Sequence, residues 1–323
     1  MLDTVSYQRF SFAGLDLSLA FDVIYGGHFE HRLASAREAH LDHQRLSLGC
    51  TLLESGHYDF PVIARGVMPD DVICVGLMAN GADLTRYNTA AIDNDEIQLY
   101  PPGADLLYHA SGPSRWINFS LPRDRLQEAA IARAGRPLKL PKRHALSIRL
   151  RAGGRARLVQ LADDALALGR HLSSMSISPA LAGGICSGLI DGYAAELADA
   201  TLEDEVRMTS TRRHFHLVLA CERLALRDEL LEIELDDIAR RSGYSRRALE
   251  LIFKRTVGMS PGRWFLNIRL NGVMRDLLTA PPACRITDVA TQWGFRHFSR
   301  FAYQYQRAFG ELPRETLRRA QFR

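Results

Sequence analysis

The chain has 323 residues, 46% of them apolar and 24% charged, a balance that suits a globular protein with room for two buried cores. Its apolar stretches are short: the run from Asp71 to Asn80 is about ten residues, far below the roughly 20 of a membrane helix. No basic segment followed by a long apolar core opens the sequence, and the five cysteines (Cys50, Cys74, Cys186, Cys221 and Cys284) show no C-x-x-C pairing. Secreted, membrane and disulfide-stapled classes are thereby set aside, and buried thiols in a reducing cytoplasm are expected.

Residues 1–150 alternate short apolar runs with turn signals. The runs are Ser47–Leu52, Val72–Leu77, Ile97–Tyr100 and Trp116–Phe119, and between them lie Asn80-Gly81, Asp93-Asn94 and Pro101-Pro102-Gly103. Such spacing predicts a β-barrel or sandwich. A ligand pocket in it would draw on interior aromatics, with Tyr100, Tyr108 and Trp116 as candidates against the more usual fate of core packing. The histidines, His28, His31, His40, His43, His57 and His109, are spread rather than clustered, and no metal or other cofactor is called for. His40 and His43 precede the clear strand pattern at a spacing that suits one helix face, and His57-Tyr58-Asp59 reads as a turn into Phe60. No nucleophile elbow, phosphate loop or paired-carboxylate motif occurs, so catalysis is not expected.

From Arg155 to Asp199 the period becomes helical. Leu158, Leu161, Ala165 and Leu168 share one face, and Ile185, Leu189, Tyr193 and Leu197 share another, with Ser178-Pro179 marking a helix start between them. The two helices would form a dimer interface or pack on their own β-region; the pattern leaves both open. Glu203-Asp204-Glu205, ahead of Thr209-Ser210-Thr211, reads as an interdomain linker.

Basic charge is concentrated at the far end. Residues 211–323 hold 21 Lys or Arg against 12 Asp or Glu, a net +9, whereas residues 1–210 carry −5. Almost every cation there is Arg, which suits bidentate contact with phosphate and guanine. The same stretch repeats at an offset of 51: Asp237-Ile-Ala-Arg-Arg-Ser-Gly-Tyr244 matches Asp288-Val-Ala-Thr-Gln-Trp-Gly-Phe295. Small Ala239 and Ala290 allow two helices to cross closely, and Gly243 and Gly294 supply the tight turn of a helix-turn-helix. Leu249, Ile252 and Phe253, then Phe301, Tyr305 and Phe309, form the apolar stripes of the second helices, which end at Gly258 and Gly310. The second unit is one residue longer between its glycines. Between the units, Gly262–Thr279 reads as one helix, stopped by Pro281-Pro282. It forms a rod of roughly 26 Å, which would set both second helices into adjacent major grooves of DNA.

On Ile238-Ala239, Gly243-Tyr244-Ser245, Leu249, Phe253, Gly258-Met259-Ser260-Pro261, Arg269-Leu270, Ala290, Trp293-Gly294-Phe295, Phe301, Arg307-Ala308-Phe309-Gly310 and Pro313, the chain resembles the AraC/XylS family of transcriptional regulators. The stretch Gly294-Phe-Arg-His-Phe-Ser-Arg-Phe and the tail Pro313-Arg-Glu-Thr-Leu are similar to its ethanolamine-operon-regulator subgroup. The resemblance implies an α+β multidomain chain. Residues 1–205 would be an effector-sensing domain, a cupin-like β-barrel with a helical dimerisation segment. Residues 206–323 would be an all-α DNA-binding domain, with units at about 235–258 and 287–310 and a linker helix at about 262–279. Base and phosphate contact then falls, by position, on Arg246, Arg247, Glu250, Lys254 and Arg255 of the first unit. In the second it falls on Arg296, His297, Ser299, Arg300 and Tyr303. Leu251 and Ala302 stand where many members place polar readers, so the base code is not transferable. The implied partners are double-stranded promoter DNA, a small-molecule effector, RNA polymerase and a second copy of the chain, with no membrane. The competing functions are a metal-dependent cupin enzyme with a DNA-binding appendage, and an alkylation-repair protein, which the dispersed cysteines disfavour.

Overall fold

The computed structural model describes the backbone of residues 5–33, 39–173, 177–202, 205–226 and 235–321, and their side chains except at 202, 205–210, 225–226 and 235. The first half is built from two antiparallel sheets. The larger runs β1 (Val5–Ala13), β3 (His40–Leu48), β4 (Leu52–Tyr58), β11 (Ser114–Leu121), β6 (Ile73–Asn80), β9 (Glu96–Tyr100), β12 (Leu146–Arg149) and β13 (Thr201–Leu202). The smaller runs β2 (His28–Leu33), β5 (Val62–Val67), β10 (Asp105–Ala110), β7 (Thr85–Tyr87) and β8 (Ala90–Ala91).

No ladder joins the two sheets among the described residues, so the expected cupin-like barrel is replaced by an open two-sheet packing. The edge strands β1 and β13 of the larger sheet and β2 and β8 of the smaller each pair on one side alone among the described residues. Phe29, Leu33, Tyr58, Ala64, Met78, Tyr87, Tyr100, Tyr108 and Trp116 fill the space between the sheets. The outer face of the larger sheet is covered by α1 (Arg123–Ala134), α2 (Gly154–Leu172) and α3 (Pro179–Ala198). Its central strands are therefore buried on both faces, which is why Ile73–Leu77 reads as a continuous apolar run instead of alternating.

Several expectations need correcting. His40 and His43 lie on β3, so their spacing of three sets them on opposite faces of a strand rather than on one helix face. Ser47–Leu52 is not one strand, because Gly49 at φ +73° turns the chain between β3 and β4. His57 and Tyr58 end strand β4, leaving the bend to Asp59 and Phe60. On α2 the buried face runs through Leu158, Ala162, Ala165, Leu166 and Gly169, while Leu168 is exposed. On α3, Leu189, Tyr193 and Leu197 are buried against the chain's own sheet with Ile185 partly buried beside them. That stripe is occupied within one molecule and is not available to a second. Residues 203–204 of the expected linker lie outside the described residues, and from Glu205 the chain is already helical, through Thr209–Thr211.

The rest is all-α: α4 (Glu205–Leu226), α5 (Leu235–Ser242), α6 (Arg246–Thr256), α7 (Pro261–Leu278), α8 (Ile286–Gln292), α9 (Phe298–Phe309) and α10 (Pro313–Gln321). Of these, α4, α6 and α7 pack on the outer face of the smaller sheet. Its register sends Glu30, Arg32, Ile63, Arg65, Leu107 and His109 outward. Ile63 and Leu107 share a buried cluster with Phe215 and Val218 of α4, Phe253 of α6 and Trp264 of α7.

Candidate nucleic-acid interface

Helices α5 and α6 meet through buried Ile238, Ala239, Leu249 and Phe253, with Gly243 at φ +73° in the turn. Helices α8 and α9 meet through buried Val289, Ala290, Phe295, Phe301 and Tyr305, with Gly294 at φ +78°. Both pairs are held by α7. Trp264 packs edge-on to Phe253 at 6.5 Å between ring centroids. At the other end Trp293 donates its indole N–H to Asp276 Oδ2 at 2.6 Å and lies over Gly272, where a Cβ would fall 2.2 Å from the ring. The rod of α7 and the two helix pairs thus form one packed unit.

The second helices start at equivalent points, Ser245 and His297 being the N-caps of α6 and α9. Their buried anchors correspond as well: Leu249 and Phe253 on α6, Phe301 and Tyr305 on α9. The helices therefore align at an offset of 52, one more than the offset of the turns. By this register Arg247 corresponds to Ser299, Glu250 to Ala302, Leu251 to Tyr303, Lys254 to Gln306 and Arg255 to Arg307. Arg300 is the counterpart of Ala248.

Every residue expected to touch DNA is exposed. Arg246, Arg247, Glu250, Lys254 and Arg255 lie along α6, opposite its buried face, and Arg296, His297, Ser299, Arg300 and Tyr303 cluster at the start of α9. Arg246 is engaged within the chain, 3.3 Å from Asp236 and 3.4 Å from Glu250. Leu251 and Tyr303, 47% and 64% exposed, occupy the middle of the two faces.

Sequence reasoning missed the contact between the β-region and the helices. Arg32 is fully buried, with its guanidinium 2.6 Å from Glu222 Oε1 and 2.9 Å from Glu30 Oε1. Arg65 and Arg275 complete the set, at 2.9 Å from Glu222 and 2.8 Å from Glu30. Burial alone would lower the Arg32 pKa, but Glu222 and Glu30 raise it overall. Beside it Asn271 accepts the Leu33 N–H at 2.8 Å and donates to the Leu33 carbonyl at 3.0 Å. The partners stand 190 and 238 positions apart, and no local motif marks them.

Of the ligand candidates, Tyr108 and Trp116 line a small apolar cleft of about 30 Å³ between the sheets, where Tyr108 donates to Ser114 at 2.7 Å. Tyr100 also borders a larger cavity of about 200 Å³, open between β-region and α4 and lined by Tyr87, Gln98, Arg143, Arg212 and His216 among others. Gln98 Oε1 and the Tyr100 hydroxyl are buried there without hydrogen-bond partners. Among the described residues no three His, Cys, Asp or Glu side chains gather as a metal site requires, and no helix is long and apolar enough to cross a membrane.

Residues 238–319 match the family described as a helix-turn-helix domain. Curated relatives extend the match. A probable thc operon regulatory protein of Rhodococcus erythropolis is 41% identical over 87 residues, 27% of this chain and 26% of that protein. A XylDLEGF operon transcriptional activator of Pseudomonas putida is 39% identical over 88 residues, 27% of either protein. The segment 238–319 is a helix-turn-helix domain. Among solved structures, an AraC-type transcriptional regulator from Chromobacterium violaceum is 27% identical, covering 35% of this chain and 96% of that one at a TM-score of 0.30. The chain spans about a quarter of the length of these two curated relatives. Within this helix-turn-helix domain lie both exposed cationic faces described above.

Proposed function

We propose that the whole chain is a cytoplasmic, non-enzymatic transcriptional regulator that reads double-stranded promoter DNA sequence-specifically with α6 and α9. The observation that carries this reading is the pair of exposed faces, aligned at one register and fixed to the single rod α7. Arg247 and Lys254 on one, Arg300 and Arg307 on the other, offer cations for phosphate and base edges. The functional division falls at about 205/206. The β-region takes a small effector, for which the cavity beside Gln98, Tyr100 and Arg212 is the best-supported place, since buried polar atoms there lack partners. A second copy of the chain and RNA polymerase are the remaining partners, and the wording of α9 and the tail favours the ethanolamine-operon-regulator subgroup.

Selection of fragments from a random duplex pool by the full chain tests this. A preferred sequence with affinity falling steeply in salt is expected. Arg247→Ala should cost about 1–3 kcal/mol on that sequence and less on random duplex. Retention of no duplex over the background would remove the proposal.

A further inference from the structure

Leu251 and Tyr303 pose a physical question that their cationic neighbours do not. Each is two positions beyond the first buried anchor of its helix, Leu249 or Phe301, and so faces away from the core. Leu251 is framed one turn away by Arg247, Lys254 and Arg255, and Tyr303 by Ser299, Arg300, Gln306 and Arg307, all exposed. Single exposed apolar residues are ordinary. Here one stands at the same register position on both helices, in a face whose other exposed members one turn away are polar or cationic. The cations select a polyanion as the surface that covers these faces. A major groove lined by phosphates offers one apolar feature on its floor, the 5-methyl group of thymine.

We infer that Leu251 and Tyr303 are the apolar reading positions of the two helices, each packing on the methyl group of a thymine in its own half-site. This rests on the DNA-reading proposal above and adds the base that is read. Rim cations hold each helix on the backbone, while the central side chain discriminates thymine from cytosine by contact and not by hydrogen bonding. Tyr303 makes the contact with its ring.

The test uses the full chain and the duplex it selects from a random pool. Each thymine is replaced singly by deoxyuridine, which removes the methyl and leaves the hydrogen-bonding edge and charge intact. One replacement in each half-site should weaken binding about fourfold, the worth of one buried methyl. In Leu251→Ala the first of these sensitivities should vanish and the second persist. In Tyr303→Ala the reverse should hold, and Tyr303→Phe should retain both. Both positions are exposed, and circular dichroism checks that each variant is folded. Binding indifferent to every replacement, with sequence preference intact, overturns the inference while leaving DNA reading in place. Loss of all sequence preference in the unaltered chain overturns the DNA-reading proposal itself. Sensitivity unchanged in Leu251→Ala overturns the assignment of that residue. If that variant instead changes only the oligomeric state, a second copy covers the face and the inference fails.

Discussion

The β-region and the C-terminal helices treat charge in opposite ways. Among the β-region's side chains His31, Arg32, His43, Arg45, Glu54 and Glu96 are all buried, and Arg45 is held 2.6 Å from Glu54 beneath the rings of Phe10 and Tyr25. From α5 onward the buried polar side chains among those described are Thr256, Asn271 and Thr316, none of them charged. One region commits its ions to partners inside the fold, and the other turns them outward. A buried ion left without its partner is far more costly than a lost surface ion. The β-region and its docking face should therefore respond sharply to single charge changes, and the helical region to changes of packing.

The largest effect is expected where the two regions meet. Glu222→Gln would leave Arg65 without its carboxylate and Arg32 with Glu30 alone, an uncompensated cation in the buried cluster, at a cost of about 3–5 kcal/mol in urea denaturation of the full chain. Adding Arg32→Met should recover much of that loss, because the uncompensated buried charge disappears with it. A variant as stable as the original would show that the helices are not docked on this sheet.

Acid should strain the β-region next. Burial lowers the pKa of His31 to about 4, with its Nε2 2.8 Å from the Tyr58 hydroxyl, and it lowers that of His109 to about 4, helped by Arg86. Above pH 6.5 both imidazoles are neutral whether the chain is folded or not. As the pH falls from 6.5 towards 4 the unfolded chain takes up these protons first, so stability drops by up to roughly 3 kcal/mol for fully buried His31. Urea midpoints at pH 7.5 and 5 should differ accordingly, and His31→Leu should flatten the difference. An unchanged pH dependence in that variant would place the sensitivity elsewhere.

Packing is the matching test on the helical side. A Cβ on Gly272 would fall 2.2 Å from Trp293, whose indole is fixed by Asp276. Gly272→Ala should force α8 away from α7 and cost about 1–3 kcal/mol, with a shift in tryptophan fluorescence as the indole loses its carboxylate. Emission and urea midpoint both unchanged would mean that the rod does not grip the second helix pair.

This contrast also explains what the sequence made legible. Ile238, Ala239, Gly243, Leu249 and Phe253 define their helix pair within sixteen residues, so period, turn and stripe could be read directly, as could Val289 to Tyr305. The expected 262–279 rod differs from α7 by one residue at each end. The strands at 73–80, 96–100 and 114–121 were visible as apolar runs, but their order in the sheet depends on ladders between distant segments. His40 and His43 misled because β3 alternates polar and buried residues, and a spacing of three on a short polar stretch fits a helix equally well. The Glu30, Arg32, Glu222 and Arg275 cluster had no local signature at all. At the candidate nucleic-acid interface the named residues all lie on exposed faces, yet the one-residue slip between turns and helices hid the correspondence of Leu251 with Tyr303.

The smallest effect separates the two helix starts. Ser245 Oγ accepts the Ala248 N–H at 3.2 Å and so caps α6, whereas His297 holds the equivalent place on α9 without a side-chain cap. Removing the hydroxyl leaves a first-turn N–H without its acceptor, so Ser245→Ala should cost about 1 kcal/mol. His297→Ala should cost little by the same measure, because no capping bond is lost. His297→Ser would give α9 the acceptor that α6 already has, since His297 has the extended backbone of an N-cap at φ −106° and ψ 90°. A gain of a few tenths of a kcal/mol is expected, read as slower hydrogen exchange at the first amides of α9. Equal losses from Ser245→Ala and His297→Ala would show that the two starts are capped alike. A loss in His297→Ser would show that the imidazole supports the α8–α9 turn in some other way.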